Sequence, residues 1–171
     1  MTTGAAPDRS PYLTFVLAQE HYAIDIAKVR EVLEFTQARR IPRAPPSVRG
    51  VINLRGQVVP VIDLRLQLGL DPAEPTLDTS VIITEVVLDG ATLVLGAIAD
   101  AVQEVIELDA AAIAPPPRMG ARADTRFIRG LYHHEDRLLM LLDLERALSD
   151  EDLRAAAGAQ VPGAEAPGQP G

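Results

Sequence analysis

The sequence predicts an all-β chain of two small barrels packed together, followed by a short C-terminal helix. Three observations carry this. Apolar residues come in short runs rich in Val, Ile and Leu, broken by Gly, Pro, Asn or Asp. The outline of the first half recurs in the second. Arg49-Gly50 leads to Asp63-Leu64 and Arg129-Gly130 leads to Asp143-Leu144, with the same 13-residue step from Gly to Asp. Val29-Arg30-Glu31-Val32 likewise matches Val102-Gln103-Glu104-Val105. Finally, 171 residues suit one ordinary domain or two very small ones sharing a core. A barrel of about 65 residues is marginal alone, because it buries too little surface. The two pseudo-repeats, 12–75 and 79–148, are therefore expected to pack on each other and leave a groove.

The elements follow in order. Residues 1–11 are small and polar and are expected to be disordered, with ordered structure beginning at Tyr12. Leu13 to Leu17 and Tyr22 to Ile26 read as strands around a polar turn at Gln19-Glu20-His21. Lys28 to Glu34 fits a helical turn or a strand equally. Ile41 to Pro46, with three prolines, reads as an extended connector. Val48 to Arg65 reads as a buried hairpin turning at Asn53-Leu54-Arg55-Gly56-Gln57, with Pro60 marking an edge strand or a bulge. Gly69 to Asp78 is a polar loop, and Val81 to Ile98 forms a hairpin around Asp89-Gly90. Ala101 to Leu108 resembles the earlier V-x-E-V segment, and Pro115 to Pro117 repeats the proline-rich connector before a polar loop to Thr125. Ile128 to Leu144 is a last hairpin, and Leu144 to Ala157 a C-terminal helix. Residues 158–171 form a tail rich in Gly, Pro and Ala, expected to be disordered.

Composition narrows the function. Hydrophobic residues make up 47% and aromatics only 4%, so aliphatic side chains must build the core. The net charge of -8 argues against nucleic acid as a partner. The chain has no cysteine, which excludes disulfides and thiolate chemistry. It has no signal core and no membrane-length apolar run, so it is expected to be soluble and cytoplasmic, reaching a membrane only through partners. Met1 and the polar ends suggest a free-standing protein.

No enzyme signature is present, neither a Gly-rich phosphate loop nor G-x-S-x-G. His133-His134 would point to opposite faces of a strand and chelate poorly, so no metal and no cofactor is expected. Asp63 and Asp143 occupy matching places, which fits acceptance of turn hydrogen bonds better than acid–base work. Arg55 at a hairpin tip is either a solvated turn residue or an anchored binding residue. Glu31 is then its candidate carboxylate partner, because a guanidinium suits such a contact. Arg65 has no such context and reads as surface.

The motifs also carry a family likeness. Y-A-I-D-I-A-K-V-R-E-V at 22–32, I-P-R-A-P-P-S-V-R-G-V-I-N-L-R-G at 41–56 and V-V-P-V-I-D-L-R at 58–65 lead the series. G-A-I-A-D-A-V-Q-E-V at 96–105, the proline stretch at 113–117 and I-R-G-L at 128–131 complete it. From about Tyr12 to Leu148 the chain resembles the CheW family, the coupling proteins of bacterial chemotaxis. The departures are Ala23, where glycine is usual, and the tail past Leu153. The resemblance implies two five-stranded SH3-like barrels over residues 12–150 and a non-enzymatic adaptor. Its partners would be the cytoplasmic hairpin tip of chemoreceptors and the regulatory domain of the histidine kinase CheA. The implied receptor groove contains Val29, Glu31, Arg55, Gly96, Val102, Val105 and Gly130. Kinase contacts are expected at apolar barrel ends, with no residues assigned. Rival readings are a CheW-like adaptor in another chemosensory pathway (pili, second messengers or development), a fragment of a larger kinase or fusion, and a small-barrel nucleic-acid binder.

Overall fold

The computed structural model describes residues 9–40, 42–88, 90–116 and 127–147. Among these residues, ten strands and two short helical stretches succeed one another: β1 (Arg9–Leu17), β2 (Glu20–Asp25), β3 (Val29–Glu34), β4 (Val48–Leu54), β5 (Gln57–Asp63), α1 (Leu64–Gln67), β6 (Ser80–Leu88), β7 (Ala91–Ala99), β8 (Ala101–Asp109), β9 (Ile128–His134), β10 (Arg137–Leu142) and α2 (Leu144–Ala147). The all-β expectation holds. β1 begins at Arg9 rather than Tyr12: Arg9, Ser10 and Pro11 are strand, because they pair with Asp109, Leu108 and Glu107 of β8. The helix expected from Leu144 is described only to Ala147, and the remainder, with the tail, lies outside the described residues. The same holds for Pro117, the loop to Thr125 and Asp89.

The strands form two five-stranded sheets, in the orders β8-β1-β2-β10-β9 and β3-β6-β7-β5-β4. Each is closed into a barrel by one bridge between its outer strand and the segment following the opposite outer strand. Ala114 pairs with Leu131 in the first barrel and Arg39 with Val51 in the second. The repeat explains both closures. Gly50 and Gly130 lie where the closing segment crosses, and a Cβ there would stand 2.1 Å from the Arg39 carbonyl oxygen or 2.7 Å from that of Ala114.

The barrels do not coincide with the sequence halves. Hairpin β1–β2 of the first half joins β8, β9 and β10 of the second, while β6–β7 of the second joins β3, β4 and β5 of the first. The two halves thus exchange their first hairpins. The repeat correctly implied two similar barrels, but strand partners are chosen by tertiary packing, which spacing does not encode.

Three apolar clusters follow from this layout. Tyr12, Ala23, Ile106, Leu108, Leu139 and Leu141 fill the first barrel. Val59, Val61, Val81, Ile83, Val94 and Ile98 fill the second. The largest cluster draws on both sheets, with Phe15 and Ile24 on one side and Ile62, Ile82 and Leu95 on the other. It cements the barrels face to face. β1 serves two cores at once, since Tyr12 and Leu13 point to opposite faces of the pleat.

Local chemistry settles the remaining details. The segment Val29–Glu34 is a strand with alternating burial, entered through a 3-10 turn at Ile26–Lys28. The first hairpin turns at Ala18-Gln19, with Glu20 and His21 already in β2. The Ile41–Pro46 connector is not simply extended, because Pro42 and Arg43 form a turn with Arg43 at φ +65°. Pro60 is neither on an edge strand nor at a bulge. β5 lies between β7 and β4, its irregularity falls at Val48/Gly50, and pairing with β7 starts one residue later at Val61. A proline costs no ladder bond where no ladder has begun. Asp63 and Asp143 cap α1 and α2: Asp63 accepts from the Arg65 N–H at 3.0 Å, and Asp143 from the Glu145 N–H at 3.1 Å. Their expected turn-bonding role is met.

Candidate functional site

The β4–β5 turn places Arg55. Leu54 pairs with Gln57, leaving a two-residue loop in which Arg55 and Gly56 have φ of +51° and +86°. This is the type I′ geometry whose twist matches the flanking strands. Asn53 steadies it by accepting the Gly56 N–H at 2.9 Å. A left-handed arginine is strained by about 1 kcal/mol, which the surrounding ladder tolerates. The result aims the side chain across the barrel seam, where Nη2 of Arg55 donates to Oε2 of Glu31 on β3. The expected partnership therefore forms. Arg55 keeps 70% of its side chain exposed and Glu31 30%. The remaining guanidinium N–H groups can reach a partner's acceptors.

The second copy carries a counterpart. By the repeat, Glu104 of β8 corresponds to Glu31, and it pairs with Arg137 at the start of β10, 3.3 Å away. Arg137 also donates to Gln103, which contacts His21 at 3.2 Å. Arg55 is thus not unique to one half: both barrels clasp their seam with a glutamate from V-x-E-V and an arginine from the R-G hairpin. The two arginines sit two places apart in the hairpin register, so comparing the tips alone hides the match. Glu104 was legible, because V-x-E-V is itself repeated.

The other expected groove residues divide. Val29 and Val102 both pack, half-buried, against the cluster between the barrels. Val105, three residues further along β8, is 52% exposed. Gly96 and Gly130 are buried and present no side chain; a Cβ at Gly96 would stand 2.6 Å from Val81 Cγ1. The structure ties Glu31 to Arg55 and packs Val29 and Val102 against one apolar cluster.

Arg65 is not a surface residue. Its side chain is only 18% exposed and grips Asp100 with two bonds, Nε to Oδ1 at 2.9 Å and Nη2 to Oδ2 at 2.6 Å. Its third nitrogen donates to the Asp71 carbonyl at 2.9 Å. The Arg65 fork holds the Asp100 carboxyl below its ordinary range, opposed by burial and helped by the Ala18 N–H. The same bond raises Arg65. Burial, then the Glu20 charge, push the Tyr22 hydroxyl up.

A cleft of about 640 Å³ is walled by Pro45, Pro46, Pro72 and Pro75 and carries Arg40, Arg49 and Glu74. Arg49 is engaged by Asp63 at 2.8 Å. Among the described residues no group of three or more His, Asp or Glu side chains could hold a metal ion. Nor, among them, is any helix long and apolar enough to cross a membrane.

Comparison with known proteins bears on this arrangement. The model of the CheW-like domain matches residues 11–152. A chemotaxis protein CheW of Klebsiella aerogenes is 37% identical over 142 residues, 83% of either chain. A probable chemotaxis protein CheW of Rhizobium etli is 33% identical over 144 residues, 84% of this chain and 90% of that one. Among solved structures, the scaffolding protein TtCheW from Thermoanaerobacter tengcongensis superposes with a TM-score of 0.75 at 34% identity, covering 86% of this chain and 96% of that one.

Proposed function

The chain belongs to the CheW-like domain family, and on that premise we propose that it is a non-enzymatic chemotaxis scaffold coupling chemoreceptors to the histidine kinase CheA. The receptor's cytoplasmic hairpin tip lies along the inter-barrel face, and the kinase regulatory domain docks on another surface. The reading rests on one observation above the rest: Arg55 is fixed at a turn by strand pairing, tied to Glu31, and still 70% exposed. A residue so held and so open suits recognition of a helix bearing acceptors. Val29, Val102 and Val105 supply the apolar part of that face. Gly96 and Gly130 act indirectly, by letting strands approach closely.

The coupling is energetic. Receptor state changes how well the helix fits, and the kinase senses the difference through the scaffold, a matter of about 1–3 kcal/mol between states. A place at receptor arrays on the inner face of the membrane follows from these partners. Co-sedimentation with receptor-containing membranes, with and without kinase, tests the reading. Wild-type protein pellets with receptors and recruits the kinase, while Arg55→Ala and Glu31→Ala lose receptor-dependent kinase activation yet keep wild-type circular dichroism. Normal coupling in both variants would refute the groove assignment, and wild-type protein that stays in the supernatant would refute the scaffold itself.

A further inference from the structure

The chain passes between the barrels at two places among the described residues. One is the 3-10 turn Ile26–Lys28 between β2 and β3, and the other is the single residue Asp100 between β7 and β8. A one-residue crossover gives no slack, so any rotation of one barrel against the other must turn on Asp100.

The groups around Asp100 come from both barrels. Its backbone N–H donates to the Val16 carbonyl of β1 at 3.0 Å. Its Oδ2 accepts the Ala18 N–H at 2.8 Å, from the left-handed β1–β2 turn of the first barrel. Both carboxylate oxygens accept from Arg65 in α1, which follows β5 of the second barrel. Arg65 in turn holds the Asp71 carbonyl of the next loop. A bidentate fork fixes angle as well as distance. Side-chain exposures of 18% and 29% shield the pair from salt. The other crossover is strapped more loosely: Lys28 meets Glu145 of α2 at 3.2 Å, and Glu145 accepts the Val87 N–H at 2.6 Å.

We propose that Asp100 and Arg65 form a strut that sets the angle between the two barrels, and that this angle carries the coupling between partners bound to different barrels. The first clause stands on the geometry alone; the second rests on the scaffold reading above. Arg65 and Asp100 are positioning residues and need touch neither partner.

The test uses the full chain. Having no cysteine, it accepts spin labels at Glu34→Cys on β3 and Glu107→Cys on β8, exposed positions on different barrels. Inter-label distances are measured without partners in the wild-type background, in Asp100→Asn and in Arg65→Lys, which keeps the charge but loses the fork. Both variants are expected to broaden or shift the distance distribution with circular dichroism unchanged. Receptor and kinase Kd values should stay within about twofold, while receptor-dependent kinase activation falls by about 5- to 150-fold, the usual span of coupling between two sites. An unchanged distribution in both variants would overturn the strut. Parallel loss of both affinities would overturn its coupling role, leaving plain stability. If unsubstituted protein binds neither partner, the scaffold reading fails, and the distance measurement still decides the strut.

Discussion

Replacing Gly50 by alanine drives a methyl group into the segment that closes the second barrel. The new Cβ would lie 2.1 Å from the Arg39 carbonyl oxygen, 2.6 Å from its carbon and 3.1 Å from the Arg40 nitrogen. All three are backbone atoms and cannot rotate away. Gly50 also sits at φ +148°, a conformation alanine adopts only under strain. Relief requires the closing segment to move off, which breaks the Arg39–Val51 pair of hydrogen bonds at 2.8 and 2.7 Å. Two such bonds contribute about 1 kcal/mol each, and the backbone shift adds about 1–3 kcal/mol. The expected loss is therefore about 3–5 kcal/mol, or about 6–20 °C in Tm for a chain of this size. Urea titration followed by circular dichroism measures it. Gly56→Ala is the control, because nothing lies within 4 Å of its Cβ and only its φ of +86° opposes the change, at about 1 kcal/mol. A Gly50→Ala protein within about 1 kcal/mol of wild type, or no less stable than Gly56→Ala, would refute the closure argument.

Gly130→Ala should destabilise in the same direction, since its Cβ meets both the Ala114 oxygen and Ile113 Cγ2 at 2.7 Å; a urea midpoint equal to wild type would contradict this. Thr14 is fully buried and its hydroxyl fills the β1–β8 bulge, donating to the Glu104 carbonyl at 2.8 Å and accepting the Glu104 N–H at 3.1 Å. Thr14→Val leaves both backbone groups unpaired and should cost about 2–4 kcal/mol by denaturant titration. Arg55→Ala, by contrast, should change stability by less than about 1 kcal/mol, because the pair with Glu31 is exposed. The Asp100 carboxyl is held below its ordinary value of 3.8, so its stabilisation is complete above that value and fades as pH falls through the folded one. Wild type should exceed Asp100→Asn in unfolding free energy at neutral pH, with the gap closing below about pH 4; a gap constant down to pH 2 would show that the charge is not its source.

Arg55 was legible because a glycine turn between apolar runs fixes where the side chain must stand, and its partner Glu31 lay in a motif that repeats. Strands were legible for a similar reason: two-residue alternation and turn residues act over a few neighbours. α1 was not, since four helical residues offer no periodicity to detect. Arg65 was misread because its carboxylate is 35 residues distant, across a strand crossover that no local pattern announces. The interlocking of the halves escaped for a deeper reason. Both β1–β2 and β6–β7 suit either set of partners by pattern, and only the shared apolar face between the barrels decides between them.

The exchanged hairpins impose an order on the birth of the molecule. All strands of the second barrel lie within one continuous stretch, from Val29 to Ala99, and can close as soon as that stretch has left the ribosome. The first barrel cannot follow suit. Its opening hairpin is made first, yet Leu13 must wait for Val105, and His21 for Leu139. Through most of synthesis β1 and β2 stand with open edges, the state in which strands recruit the wrong neighbour. The waiting hairpin already has a seat, because Phe15 and Ile24 can settle on the Ile62, Ile82 and Leu95 face of the finished barrel. That barrel offers its twin an apolar surface on which the early strands can rest until the last three arrive.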